Sequence, residues 1–371
     1  IATRAAEGHV GAKHQRGVQN LEHIEALAVE LIKKLFKAEY AECRVLSGSM
    51  ANSIVFSALT EPNDVIMSLN IPSGGHISYQ KFGVAGLRRL KIVGLPFDNE
   101  RLNVDIERLE EAAKKVKPRL IVLGASLILF PYPLKEIREI ADDVDAQIHY
   151  DGAHVLGLIA GGKFQDPLKE GADVLSGSTY KTFPGPPGGV ILCDDAEVAR
   201  KVDEATFPGM TANVHYNRLA SSVVAASELL RFGVEYASQT VSNARAFAES
   251  LHGLGLSVLG EAYGFTKSHQ VAVDVSNAGG GRKASTLLER ANIICNPNLL
   301  PGETLKTLRD PRGLRLGVQE VTRLGMKEED MRRVAEFMKR VLTDLEPPEK
   351  VREEVVAFRR AYRKIHYCFD L

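Results

Sequence analysis

Two stretches decide the fold: Gln-Ile-His-Tyr-Asp-Gly-Ala-His over residues 147–154, and Ser-Thr-Tyr-Lys over residues 178–181. Strand-like runs over 147–151 and 173–176 lead into them. Outward from these, continuous apolar runs such as Ile121-Val122-Leu123 alternate with amphipathic helical patterns. Such runs suit strands buried on both faces, and strands alternating with helices imply βαβ units. The sequence therefore predicts an α/β fold with a mostly parallel central sheet flanked by helices.

The predicted elements divide the chain into three parts. Strands are predicted at 43–46, 65–69, 91–95, 120–124, 147–151, 173–176, 189–193, 270–275, 293–295 and 313–318. Helices are predicted at 20–35, from about 49, and at 105–116, 134–142, 216–251 with a break near Gly233, 284–291, 327–342 and 348–364. We expect an N-terminal arm remnant at 1–20 whose upstream part is missing. A large domain follows at 21–215, and a smaller α+β C-terminal domain that includes the linking helix at 216–371.

Composition excludes several classes of protein. Lys plus Arg and Asp plus Glu are each 47, so the net charge is +0, whereas nucleic-acid binders usually carry a basic excess. No apolar run approaches the 18 or more residues of a membrane span. The four cysteines lie far apart without CxxC spacing, which excludes a zinc ribbon and favours free thiols in a reducing compartment. We expect a cytoplasmic protein without nucleic-acid or membrane partners.

Candidate site residues follow the predicted strands. Ligands of open parallel sheets sit at the carboxyl ends of the strands. Ser47-Gly48-Ser49 offers free N–H groups and two hydroxyls at a helix start, which suits a phosphate, although plain N-capping explains the same residues. Asp151 alone is an ordinary turn residue, and Lys181 alone an ordinary surface lysine.

Taken jointly, these residues fit pyridoxal phosphate. A lysine amine bonds covalently to the cofactor's aldehyde. A carboxylate pairs with the pyridine nitrogen and keeps it protonated. His76, which follows a Gly-Gly pair, would stack on the ring. The combination of Ser47-Gly48-Ser49, Asp151 and Lys181 therefore predicts a pyridoxal-phosphate enzyme.

Two alternatives compete with this prediction, a metal site and a cofactor-free relative, and Arg315 has two interpretations. His149, Asp151 and His154 have a spacing that suits a metal triad, but no second cluster supports it and Lys181 would have no role. Arg315, within a predicted strand, suits a substrate carboxylate or a structural ion pair. A cofactor-free relative would serve as a binding or assembly subunit.

The chain resembles serine hydroxymethyltransferases, which are fold type I pyridoxal-phosphate enzymes related to aspartate aminotransferase. The resemblance rests on motifs spread over most of the chain. They are Ala6-Glu7-Gly8, Leu46-Ser-Gly-Ser-Met-Ala-Asn52, Pro72-Ser-Gly-Gly-His76, Gly124-Ala-Ser126, Asp151-Gly-Ala-His-Val-Leu-Gly-Leu158, Ser178-Thr-Tyr-Lys-Thr182, Phe207-Pro-Gly209 and Gly313-Leu-Arg-Leu-Gly317.

The resemblance implies a role for each motif. Lys181, Asp151, His76 and a catalytic Glu7 from the neighbouring subunit would form the reaction site, with Arg315 binding the substrate carboxylate. The implied cofactor-binding residues are Ser47, Gly48, Ser49, His76, Ser126, Asp151, His154, Ser178, Tyr180 and Lys181. The residues implied to border a folate pocket are Ile71, Gly75 and Ile77. The resemblance also implies a homodimer with shared active sites, a tetramer remaining an alternative, and no metal.

Some family residues are replaced. The two functional tyrosines of the family's Tyr-Ala-Glu-Gly-Tyr-Pro-Gly-x-Arg-Tyr-Tyr-Gly stretch are Ala5 and Gln15 here, and the histidine before the lysine is Tyr180. In the family, a glycine-rich stretch reaches the partner's phosphate. Here that stretch is replaced by Gly209-Met-Thr-Ala-Asn213. We expect cleavage and formation of the Cα–Cβ bond of β-hydroxy amino acids, foremost serine–glycine interconversion with tetrahydrofolate as cosubstrate. The alternative is a folate-independent aldolase or transaldolase acting on threonine-like or α-methylserine-like substrates.

Overall fold

A seven-stranded and a four-stranded sheet organise the computed structural model, which describes residues 4–370. The strands, in chain order, are β1 (Tyr40–Glu42), β2 (Val65–Ser68), β3 (Lys91–Gly94), β4 (Phe97–Asp98), β5 (Asn103–Val104), β6 (Leu120–Leu123), β7 (Gln147–Asp151), β8 (Val174–Tyr180), β9 (Pro184–Cys193), β10 (Ser257–Val258), β11 (Gln270–Asp274), β12 (Asn296–Asn298) and β13 (Gly313–Gly317).

Helices cover both sheets. They are α1 (Gln19–Phe36), α2 (Gly48–Leu59), α3 (Val84–Leu87), α4 (Ile106–Val116), α5 (Leu134–Asp143), α6 (Leu156–Ala160), α7 (Pro167–Glu170), α8 (Ala196–Glu204), α9 (Tyr216–Gly253), α10 (Gly281–Arg290), α11 (Gln319–Arg323), α12 (Glu328–Leu342) and α13 (Pro348–Arg359). Among the described residues, no helix is both long and apolar enough to cross a membrane.

The large sheet has the order β1-β9-β8-β7-β6-β2-β3. β2, β3, β6, β7 and β8 pair in parallel, and only β9 runs against them. Every residue of β6 is buried, as the apolar run predicts. This confirms the α/β fold with a mostly parallel sheet. Because Asp151 of β7 lies in register with Ser176 of β8, residues that follow both strands share one edge of the sheet.

Two of the predicted strands differ from those in the structure. Residues 43–46 are not a regular strand; β1 ends at Glu42, although the Val45 carbonyl still accepts a hydrogen bond from the Gly189 N–H of β9. In the small sheet, pairing with β13 begins at Asn296 rather than at Ile293. The reason is the turn after α10, where Asn292 takes a positive φ of 61° and leaves Ile294 exposed.

The predicted break in α9 is wrong. The helix runs unbroken from Tyr216 to Gly253. Gly233 lies instead where α9 packs closely against Gly161, the residue after α6. A Cβ added at Gly161 would collide with the Gly233 carbonyl and with the Ala237 side chain. α9 packs into the core of the large sheet as far as Ala237, and from Ala244 onward into the core of the small sheet. The domain boundary near residue 216 stays a prediction.

Candidate active site

A cavity opens at the carboxyl ends of β6, β7 and β8. It contains all of the predicted cofactor-binding residues except Ser47 and Ser126. The lining residues are Gly48, Ser49, Asn52, His76, Tyr79, Ala125, Asp151, Ala153, His154, Ser178, Tyr180 and Lys181. The parallel register therefore brings together residues that are up to 133 positions apart in sequence (Gly48 to Lys181).

The Asp151 carboxylate is buried and hydrogen-bonded at the end of β7. Oδ1 accepts from the Ala153 N–H at 2.9 Å, while Oδ2 accepts from Asn52 Nδ2 at 2.8 Å and from the Tyr79 hydroxyl. Burial raises the pKa of Asp151, but the neighbouring His149 and these hydrogen bonds outweigh burial and lower the pKa below its ordinary value. A carboxylate offers about four acceptor positions, so one position, on Oδ1, remains for a cationic donor.

Lys181 lies just beyond β8. Among residues 4–370, its amine has neither a hydrogen bond nor an ion pair. Burial lowers the pKa of Lys181; nearby Asp151 opposes this shift and Arg315 reinforces it. A lowered pKa leaves more of the amine neutral near pH 7, which is the form that attacks a carbonyl carbon.

The start of α2 forms one end of the cavity. Gly48 and Ser49 lie there with Ser178, and a Cβ at Gly48 would overlap the Ser178 hydroxyl. The absent side chain leaves backbone N–H groups accessible at the positive end of a helix dipole, where anions bind. Ser47 instead caps the helix, because its hydroxyl accepts from the Met50 N–H at 3.1 Å.

Two histidines of the cavity each have a defined tautomer. The Ser78 N–H donates to His76 Nδ1 at 3.2 Å, so the ring hydrogen of neutral His76 is on Nε2. The Gln270 amide lies 3.1 Å from His154 Nδ1 through its Nε2, which places the ring hydrogen of His154 on Nε2 as well. Burial, together with nearby cations, holds the pKa of both histidines below the usual value. Both rings therefore line the cavity in the neutral form with the ring hydrogen on Nε2.

Arg315 and Ser126 border a second cavity beside the first. Arg315 donates to the Ser126 carbonyl at 2.8 Å and pairs with no carboxylate among the described residues, so the structural ion pair is absent there. Burial lowers the pKa of its guanidinium. The predicted folate-pocket residues line the same cavity: Ile71, Gly75 and Ile77.

Glu7 lies away from the Lys181 cavity. It forms a β-bridge with Asn213, and its N–H donates to Gln15 Oε1 at 2.7 Å. The Asn213 side chain accepts from the Ala6 N–H at 2.9 Å. Gln15 and Asn213, which lie in the replaced tyrosine position and the replaced glycine-rich stretch, thus each bind the backbone at Ala6 and Glu7.

The metal alternative lacks geometric support. No three His, Cys, Asp or Glu side chains within residues 4–370 are placed to hold a metal ion. His149 Nε2 lies 2.8 Å from Ser176 Oγ instead. The structure also adds residues that the sequence did not single out as site residues: Tyr79, Asn52 and Gln270. Of these, only Asn52 lies in a motif that we quoted, and Tyr79 has no local sequence signal.

Comparisons with known proteins agree with this geometry. A family model described as serine hydroxymethyltransferase matches residues 1–338. Proteins named serine hydroxymethyltransferase from Methanocella arvoryzae and Archaeoglobus fulgidus are each 50% identical over 370 residues, covering 100% of this chain and 87% and 84% of theirs. A crystal structure of L-threonine transaldolase from Pseudomonas fluorescens, in the internal aldimine state, has a TM-score of 0.89 at 32% identity, covering 100% of this chain and 84% of that one.

Proposed function

The chain belongs to the serine hydroxymethyltransferase family, and from this premise we propose that it interconverts serine and glycine with pyridoxal phosphate and tetrahydrofolate. It is a fold type I pyridoxal-phosphate enzyme and a transferase. The observation that carries the proposal is one cavity in which an unpartnered lysine amine, a buried carboxylate and a helix start converge.

The residues present fit the cofactor. Gly48 leaves the helix start open, and Asp151 Oδ1 has an acceptor position left for the ring nitrogen. Lys181 has no partner to displace among residues 4–370. When bound, pyridoxal phosphate supplies an aldehyde for amines and a ring that accepts the electron pair of the broken Cα–Cβ bond. Ser49 and Ser178 would hold the phosphate, and His154 would donate from Nε2 to the ring oxygen.

Lys181 and Asp151 carry most of the chemistry that the chain itself contributes. The Lys181 amine would bind the cofactor and would yield this place to the substrate amine. Asp151 would hold a proton on the ring nitrogen, because an anion near a cation raises the pKa of that cation, typically by about 1–3 units. His76 would pack against the ring and orient it.

Arg315 orients the amino acid. Its guanidinium would take the substrate carboxylate bidentately, which aligns the bond to be cleaved with the cofactor ring. The Ser126 carbonyl fixes one amino group of Arg315 at 2.8 Å and leaves the rest of the guanidinium without an anionic partner. The cavity beyond, bordered by Ile71 and Ile77, would take the folate.

Glu7 would act from a second subunit. It is outside the Lys181 cavity of its own chain, so the proposed homodimer with shared sites would bring Glu7 of one copy to the substrate hydroxyl of the other. There its carboxylate would move a proton at the β-hydroxyl or on the folate intermediate. We also propose a cytoplasmic location, supported by four free cysteines.

A folate-independent transaldolase or aldolase is the second candidate. It is favoured by the likeness to an L-threonine transaldolase and by the replacement of two tyrosines with Ala5 and Gln15. The test compares kcat/KM for allo-threonine without folate with kcat/KM for serine with tetrahydrofolate. We expect the larger kcat/KM for serine with tetrahydrofolate. A larger kcat/KM for allo-threonine without folate would favour the second candidate instead.

A further inference from the structure

His149 is a buried histidine close to the site that the proposed chemistry does not use. It lies on β7 two residues before Asp151, has no exposed surface, and does not line the cavity. Its Nε2 is 2.8 Å from the hydroxyl of Ser176, the residue in register with Asp151 on β8. This hydrogen bond connects His149 to the groups that Ser176 contacts in turn.

The direction of the hydrogen bonds from His149 is fixed. Ser176 Oγ lies 3.0 Å from Asn52 Oδ1, which accepts only, so the Ser176 hydrogen points to Asn52. Ser176 must then accept from His149, and the ring hydrogen is on Nε2. Among residues 4–370, Nδ1 of His149 is buried without a hydrogen-bond partner. An unpaired acceptor costs less free energy than an unpaired N–H donor would.

The hydrogen-bond chain continues from Asn52 in two directions. Asn52 Nδ2 donates at 2.8 Å to Asp151 Oδ2 and at 3.0 Å to Ser78 Oγ. Ser78 Oγ lies 2.8 Å from His76 Nδ1, to which it donates. Because Ser176 holds the Asn52 carbonyl, the amide nitrogen must face Asp151 and Ser78. We define these five contacts, from His149 to Asp151 and His76, as the buried relay.

We propose that His149 is a positioning residue: through Ser176 and Asn52 of the buried relay it holds the Asp151 carboxylate opposite the cofactor's ring nitrogen. The proposal rests on the proposed function, because the cofactor is the group that Asp151 would contact.

The variants separate hydrogen bonding from packing. His149→Phe removes the donor and keeps a ring against Phe56, which it contacts edge-on at 5.9 Å. His149→Gln keeps a donor near the position of Nε2. Ser176→Ala breaks the second link and covers the case that His149→Phe does not fold. Ser68→Ala is the control, because Ser68 is a buried strand serine whose hydroxyl has no partner.

The first readout is the melting temperature of the cofactor-free full chain, which shows whether each variant folds. The second readout is the Kd for pyridoxal phosphate, which we expect to be native in His149→Gln and Ser68→Ala. We expect an increase of about three- to tenfold in His149→Phe and Ser176→Ala, as for loss of one net hydrogen bond.

Two outcomes would overturn the proposal. One is a native Kd in a folded His149→Phe or Ser176→Ala protein. The other is a His149→Gln protein that melts like the native chain but has the Kd of His149→Phe, since packing would then explain the effect. Failure of the native chain to bind pyridoxal phosphate would instead refute the proposed function, whereas a native chain that binds and variants that bind equally well would refute the relay alone.

Discussion

Lys181 is the residue that we propose as the anchor of the cofactor. Lys181→Ala should abolish the borohydride-reducible link between protein and cofactor, because no other lysine among residues 4–370 lines the cavity. The melting temperature should change little, since the Lys181 side chain makes no hydrogen bond among the described residues. Mass spectrometry after reduction measures the link, and Lys115→Ala, at an exposed helix position, is the control. A reduced cofactor on a different lysine would remove Lys181 from its role.

Asp151 is the residue that we propose to keep the cofactor's ring nitrogen protonated. Asp151→Asn should keep cofactor binding but slow exchange of the glycine α-proton with solvent by about 10- to 1000-fold, because an amide cannot hold the ring nitrogen protonated. Proton NMR of glycine in D₂O measures the exchange. Asp143→Asn, at an exposed position near the end of α5, is the control. Exchange at the native rate in Asp151→Asn would contradict the pairing with the ring.

Buried histidines predict how stability depends on pH. Burial lowers the pKa of His149 to about 4 and that of His269 to about 3, against about 6.5 for a free histidine. Below about pH 6.5 the unfolded chain binds protons that the folded chain does not, so the free energy of unfolding falls as pH falls toward 4. Each histidine contributes a slope of about 1.4 kcal/mol per pH unit in this window.

His149→Gln should therefore reduce that slope by one histidine's share. Urea unfolding at about pH 5 and about pH 6.5 gives the two free energies, and His23→Gln, at an exposed position of α1, is the control. An unchanged slope in His149→Gln would show that His149 is protonated in the folded protein.

At the scale of elements, the start of α2 tests the phosphate site. Gly48→Ala should raise the Kd for pyridoxal phosphate by about tenfold or more, since the new methyl group must displace Ser178 or the ligand; a strained contact of this kind costs about 1–3 kcal/mol. Gly253→Ala, at the end of α9, is the matched control, because its Cβ would meet nothing within 4 Å. Equal affinities in the two variants would place the phosphate elsewhere.

Helices and strands were predictable where the spacing of apolar residues in the sequence matches the face that the element buries. The helix and strand periods located β6, β7, α4 and α5 to within one residue of their observed ends. The sequence could not show that Gly233 packs against Gly161, because that contact joins α9 to α6 across the fold. It could not place Tyr79 beside Asp151 for the same reason. Asp151 and Lys181 were predictable because Asp151 is the last residue of a strand and Lys181 directly follows one.

At the scale of the whole molecule, the site should require two copies of the chain. Mixing Glu7→Gln with Lys181→Ala, each inactive alone, should restore about a quarter of native activity once subunits exchange, because half of the dimers are hybrids and each has one intact site. Tagged copies verify that the hybrids form. Full native activity in a monomeric protein would contradict shared sites.

For the whole molecule, the proposed reaction is cleavage of the Cα–Cβ bond of serine at the Lys181 cavity. The most direct measurement is glycine formation from L-serine by the cofactor-loaded chain, with and without tetrahydrofolate, beside Lys181→Ala. We predict glycine formation that requires both pyridoxal phosphate and Lys181 and that accelerates with tetrahydrofolate. Absence of glycine from serine, while the cofactor is bound at Lys181, would contradict the claim.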